Sequence, residues 1–189
     1  MSNASSFKFP NPAPLGLAGF ALTTWLLSMI NAGWFDGASL GMVLACAFAF
    51  GGTAQMIAGV MEVPRGNTFR FTAFMGYGAF WWSFALFIVF FHGKVPGAFV
   101  GWYLLLWGIF TFYMWLATFR SPRVLQLIFL ALWITFLLLA AGDGLGMPTA
   151  GHLGGYMGLI TAALAFYLSA ADVINEAYGR TVLPTGAKA

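Results

Sequence analysis

The side chains of this chain that could meet a solute away from water are neutral. Hydroxyls, phenols and amides stand inside its apolar stretches: Thr23, Thr24, Ser28, Asn31, Thr53, Gln55, Tyr77, Ser83, Thr111, Thr135, Tyr156, Thr161 and Tyr167. Groups of this kind hydrogen-bond a passing molecule but do not hold a bare ion, which asks for opposite charge at depth. No His-Glu-x-x-His pattern, Cys/His ligand set, nucleophile elbow or phosphate loop is present. His92 and His152 lie near the ends of apolar stretches, far apart in sequence, and read as interfacial polar residues. The single cysteine, Cys46, cannot form an internal disulfide and reads as a small packing residue. The pattern therefore calls for no catalytic residue, no cofactor and no metal.

The elements that position these groups are long. Six apolar stretches cover residues 15–31, 38–61, 71–91, 98–118, 124–141 and 153–171, and every Asp, Glu, Lys and Arg falls between them or at the ends. Most are at or near the ~20 residues that a helix needs to cross a bilayer core. The chain is 61% hydrophobic and only 7% charged, where a soluble domain carries about 25% charged residues. These features predict an all-α integral membrane protein with six transmembrane helices. The spans use up most of the 189 residues, so 1–189 is read as one domain, with a tail over 1–10 and another over 173–189. A cleaved signal peptide is not expected, because no basic segment precedes an apolar one at the N-terminus. The net charge of +3 comes from flanking Arg and Lys, so a lipid bilayer, not nucleic acid, is the expected surroundings.

Lys8, Arg65, Arg70, Arg120, Arg123, Arg180 and Lys188 fall on one side of such a topology and Lys94 on the other. The positive-inside rule then places both termini in the cytoplasm of a cell membrane, the inner one if the source is bacterial. Trp34, Trp102 and Trp107 read as interfacial aromatics. Helix boundaries have local causes: Asn67-Thr68 caps the third helix, Pro96 opens the fourth, Ser121-Pro122 supplies cap and first residue of the fifth, and Gly142-Asp143-Gly144 closes it. Gly37-xxx-Gly41 and Gly154-xxx-Gly158 read as close-packing pairs. No inverted repeat is evident.

A lining without charge suits a small neutral or weakly ionised solute. Moving a bare carboxylate through an apolar constriction is costly, and protonation removes most of that cost. The opening of the first helix, Asn11-Pro12-Ala13-Pro14-Leu15-Gly16-Leu17, is the most distinctive local text. Asn11 can cap, and the two prolines lack an N–H where a helix start has no partner for one. The Ala13 N–H can reach the Asn11 side chain, and the Leu15 N–H its carbonyl. A structural anchor and a direct substrate contact are both open readings of this segment.

With that segment in view, the sequence resembles the acetate uptake transporter family, also called the succinate–acetate permease family. The same likeness extends through Gly51-Gly52-x-x-Gln55, Glu62 with Gly66-Asn67-Thr68-Phe69, and Tyr77-Gly78-x-Phe80-Trp81. It continues in Arg123-Val124-Leu125-Gln126, Asn175-Glu176 and Gly179-Arg180-Thr181-Val182-Leu183-Pro184. The resemblance implies a fold similar to proton-gated urea channels, with six helices around a pore in each protomer of a homohexamer. It implies uptake of acetate and, in some members, succinate, either coupled to protons or channel-like. It also implies a hydrophobic constriction, matched here by Phe20, Tyr77 and Leu132, and a selectivity position matched by Ala165.

Helical spacing puts neutral polar groups in line with these residues. Phe20 shares a stripe with Thr24 and Asn31, Leu132 with Thr135, and Ala165 with Thr161. Thr24, Asn31, Gln55 and Thr135 are the polar candidates along the path, and Thr161 joins Ala165 as a candidate for selectivity. Gln55 and Glu62 share one face of the second helix, where Glu62 is expected to pair with Arg65 or Asn67 at the corner rather than to carry protons. A pore for another small neutral solute, such as urea or ammonia, is the alternative.

Overall fold

Six helices carry the chain from Ala13 to Tyr178 in a computed structural model that describes residues 9–186. They are α1 (Ala13–Asn31), α2 (Gly37–Met61), α3 (Thr68–Phe91), α4 (Gly97–Arg120), α5 (Arg123–Leu145) and α6 (Pro148–Tyr178). All are long and apolar enough to cross a bilayer, and no strand occurs among the described residues. Lys8, Lys188 and most of the N-terminal tail lie outside the described residues.

The helices close into a ring. α1 packs on α6, α6 on α5 and α5 on α4, while α2 packs on both α1 and α3. The seam between α3 and α4 is sparse by comparison, and aromatic rings fill it: Phe80 stacks on Tyr103 at 6.0 Å and meets Trp107 edge-on at 5.3 Å.

Small residues set how near the backbones come. A Cβ on Gly19 of α1 would stand 2.6 Å from the Phe50 carbonyl of α2, and one on Gly154 of α6 would stand 2.8 Å from Leu139 of α5. Gly158 likewise meets Ser28 of α1. The other expected pair does not pack on a neighbouring helix: nothing lies within 4 Å of a Cβ built on Gly37 or Gly41. α2 is not regular. Residues Ala49–Ala54 form a π-helical turn, which the Gly51-Gly52 pair permits, and the α-helix resumes at Gln55. Such turns insert a residue and rotate the side chains that follow.

Several boundaries differ from expectation. α5 runs through Gly142-Asp143-Gly144 to Leu145 and ends at Gly146 in the left-handed region, φ 62°. Those glycines are engaged rather than free to turn, Gly142 against Gly151 of α6 and Gly144 against Gly101 of α4. α6 is longer than 153–171 at both ends, starting at Pro148 and ending against Gly179 at φ 62°. The expected tail over 173–189 therefore begins as helix, and Asn175 and Glu176 ride on α6 with Asp172. Trp107 sits in the middle of α4, not at an interface.

Ser121 does not cap α5. The first donors of α5 are instead taken by the C-terminal segment: the Arg123 N–H donates to the Gly186 carbonyl at 3.2 Å and the Val124 N–H to the Thr185 carbonyl at 3.1 Å. That segment is fixed to α6 as well. The Asn175 side chain accepts from the Val182 and Leu183 N–H groups at 2.7 and 2.9 Å, and Tyr167 donates to the Pro184 carbonyl at 2.8 Å.

Candidate solute pathway

A cavity of about 90 Å³ enters the ring from the end that holds Asn11. Its mouth is lined by Arg70, Pro122, Asp172 and Thr185, and its depth by Leu17, Phe20, Gln55, Tyr77, Phe129 and Leu132. From Ala13 to Phe20 is seven residues along α1, so the cavity runs roughly 10 Å inward at 1.5 Å per residue. One water needs ~10–15 Å³ of such space, so the volume suits a few waters or one small organic molecule.

Phe20, Tyr77 and Leu132 come from three different helices and are 6%, 3% and 4% exposed. They share the inner wall of that cavity. The Phe20 and Tyr77 rings stand 5.7 Å apart, and Tyr77 also meets Phe110 edge-on at 5.3 Å and Phe129 at 6.1 Å. Aromatic contacts of this kind fix a ring beyond what its buried area alone does. The Tyr77 phenol reaches Thr111 of α4 at 2.9 Å.

Beyond this closure the polar groups continue. Thr24, one turn past Phe20, is buried with its Oγ1 unpartnered. Thr135 and Thr161 face each other at 3.4 Å across α5 and α6, each also donating to the carbonyl one turn back. Ala165, fully buried, lies one turn from Thr161 within the same buried core as Phe20, Tyr77 and Leu132, though not on the cavity wall. Asn31 ends α1, half-buried and away from the cavity. Near the far end a second cavity of about 500 Å³ lies between α3 and α4, where Ser83, Tyr103, His92 and Asp143 are its polar lining.

Behind the mouth residue Arg70 lies Glu62, which is fully buried and off the cavity wall. Its carboxylate lies 3.3 Å from the Arg65 guanidinium and 3.5 Å from that of Arg70. Asn11 joins this cluster. Its side-chain carbonyl accepts from the Ala13 N–H and from Arg70, both at 3.2 Å. The first helical bond of α1 runs from the Gly16 N–H to the Pro12 carbonyl at 3.2 Å, one residue later than the expected Leu15-to-Asn11 bond. Leu17 and Ala13 of the same motif line the cavity, while Leu15 is exposed. The Ser169 hydroxyl donates to the Pro14 carbonyl at 2.7 Å and ties α6 to this end of α1.

Sequence spacing alone did not single out Arg70, Phe129, Asp172 or Thr185 as lining residues. Asp172 could have been found by continuing the stripe of Thr161, Ala165 and Leu168 one further turn. Thr185 reaches the mouth only because the chain folds back, which no helical period encodes.

A profile of the GPR1/FUN34/yaaH family matches residues 1–186. The chain belongs to that family. Among relatives it is 45% identical over 183 residues to the succinate-acetate/proton symporter SatP of Escherichia coli strain K12, covering 95% of this chain and 96% of the relative. It is 38% identical to the ammonia transport outward protein 2 of Saccharomyces cerevisiae, covering 93% of this chain and 66% of that protein. The solved structure of the bacterial acetate channel SatP superposes with a TM-score of 0.90 at 45% identity, over 95% of this chain and 100% of the other. The family resemblance carried by Asn11–Leu17 and its companion motifs is thus shown, as is the six-helix membrane fold.

Proposed function

We propose that this member of the GPR1/FUN34/yaaH family passes small monocarboxylates across a membrane, acetate foremost and succinate with it. The observation that carries this reading is the likeness to the acetate channel, at 45% identity and a TM-score of 0.90 over nearly the whole chain. It coincides here with a cavity that stops at three bulky side chains from three helices, Phe20, Tyr77 and Leu132. In this reading Phe20, Tyr77 and Leu132 form the constriction. Thr24, Gln55 and Thr135 offer hydrogen bonds on either side of it, Asn31 stands toward the far mouth, and Thr161 with Ala165 biases the choice of solute. Both termini face the cytoplasm, as the basic side of the chain favours, and the protomers assemble as a homohexamer with protons as co-substrate. A yeast relative named for ammonia transport supports a second reading, a pore for a small neutral nitrogen solute.

Labelled-acetate flux into liposomes holding the purified protein, with pH gradient and voltage set independently, tests the first reading. Accumulation driven by the proton gradient supports coupled transport, and faster equilibration without accumulation supports a channel. No flux above protein-free liposomes, with ammonia flux present, moves the assignment to the second reading.

A further inference from the structure

Gln55 is the most completely buried large polar side chain on the cavity wall, 1% exposed, and its Oε1 has no hydrogen-bond partner among the described residues. Leaving a buried acceptor unpaired is costly, and native structures do so where a ligand or water completes the bond. The π-helical turn Ala49–Ala54 ends immediately before it, and a turn of this kind rotates the side chains that follow.

The other polar groups at this level have little to donate. Thr23, Thr111, Thr135 and Thr161 each give their hydroxyl hydrogen to a backbone carbonyl, those of Gly19, Trp107, Ala131 and Met157, at 2.8–2.9 Å. A hydroxyl has one hydrogen. With Thr111 committed to Trp107, the Tyr77 phenol gives its own hydrogen to Thr111. These five groups therefore turn lone pairs, not hydrogens, toward any neighbour. A carboxylate, which only accepts, finds no free donor among them. Thr24 past the closure keeps an uncommitted hydroxyl, and Trp81 an uncommitted ring N–H off the cavity wall.

We infer that the Gln55 carboxamide recognises the undissociated carboxyl group. Its carbonyl accepts the acid O–H while its NH2 donates to the acid carbonyl, a two-bond pairing that a carboxylate cannot make with the same acceptor. The inference rests on the transport reading above and adds the form in which the solute passes the constriction. The charged groups around this position come from few elements: Arg70 from α3, Asp172 from α6, and Glu62 with Arg65 from the end of α2. α1 and α5 bring only apolar side chains to the wall. The division of labour follows: the anion meets Arg70 at the mouth, takes up a proton from hydronium of the bathing solution, which is left as water, and goes on as the acid. The undissociated form of an acetate-like acid is roughly one molecule in several hundred at pH 7 and rises to more than a tenth at pH 5.

Two analogues of acetate size separate the forms. Acetamide is neutral at every relevant pH and presents the same donor–acceptor edge as acetic acid. Methanesulfonate is an anion at every relevant pH. Labelled-acetate uptake into proteoliposomes at pH 6 should be inhibited by acetamide and untouched by methanesulfonate. In Gln55→Leu and Gln55→Met the half-inhibitory acetamide concentration should rise tenfold or more. Inhibition by methanesulfonate without inhibition by acetamide would overturn the inference, as would unchanged acetamide inhibition in either variant. Should both variants fail to assemble, the comparison of the two analogues on the unaltered protein decides alone. Absent acetate flux would sink the transport reading instead. A rise in unfolding temperature of the purified protein with acetamide, none with methanesulfonate, and loss of the acetamide rise in Gln55→Leu then still test Gln55 by themselves.

Discussion

The Tyr77 phenol donates to Thr111 Oγ1 across 2.9 Å, because Thr111 has already given its only hydrogen to the Trp107 carbonyl at 2.8 Å. One hydrogen bond thus joins the ring at the end of the cavity to the helix across the sparse α3–α4 seam. Tyr77→Phe removes that bond alone and should cost about 1 kcal/mol, with acetate flux retained. Tyr77→Ala removes the ring as well, should cost about 3–5 kcal/mol, and should relax selection against larger carboxylates. Thermal unfolding in detergent and the ratio of succinate to acetate flux measure the two effects. Unchanged selectivity in Tyr77→Ala would contradict the placement of the ring in the path.

The ion cluster at the mouth is asymmetric. Glu62 is fully buried, while the Arg65 and Arg70 side chains are about one-third exposed. Glu62→Gln leaves two guanidinium groups that can turn to water, and should cost about 1–2 kcal/mol. The double change Arg65→Ala, Arg70→Ala leaves a buried carboxylate without a partner and should cost about 3–5 kcal/mol. Equal losses of stability in the two proteins would show that the burial of Glu62 is not what matters.

Asn11 serves α1 and Arg70 at once. Asn11→Ala should lower stability by about 1 kcal/mol or more and reduce the yield of assembled protein. Its acetate affinity per folded molecule should stay within twofold. A stable variant with selectively weakened acetate binding would instead place Asn11 in contact with the solute.

Glycines in the spans divide into two kinds. Gly19→Ala drives a methyl group into the Phe50 carbonyl of α2 and should abolish the native elution profile in size-exclusion chromatography. Gly41→Ala meets nothing within 4 Å and should leave the fold intact, with a gain of up to about 1 kcal/mol from helix propensity. Loss of native elution in Gly41→Ala, with the protomer still folded, would point to a neighbour that covers this face.

The fold was legible because two coarse signals agreed: stretch lengths near that of a bilayer crossing, and charge confined to their ends. What escaped was set by contacts distant in sequence. Gly142-Asp143-Gly144 has the composition of a helix stop, yet Gly101 and Gly151 of neighbouring helices hold it helical. Ser121-Pro122 has the composition of a cap, yet the Thr185 and Gly186 carbonyls do the capping. Trp107 looked interfacial by type and packs at mid-helix against Tyr77, 6.1 Å away. At the site, helical stripes could place Phe20 beside Thr24 and Leu132 beside Thr135. They could not reveal that the buried Gln55 carbonyl on the cavity wall has no partner among the described residues, since that depends on contacts between helices.

The central claim is that solute passes where Phe20, Tyr77 and Leu132 meet. Leu132→Trp tests it most directly by filling the inner end of a 90 Å³ cavity, with Leu106→Trp on the exposed face of α4 as control. In proteoliposomes with matched amounts of natively eluting protein, acetate flux should fall at least tenfold in Leu132→Trp and stay within twofold in Leu106→Trp. Full flux through Leu132→Trp would mean that acetate crosses this protein by another route.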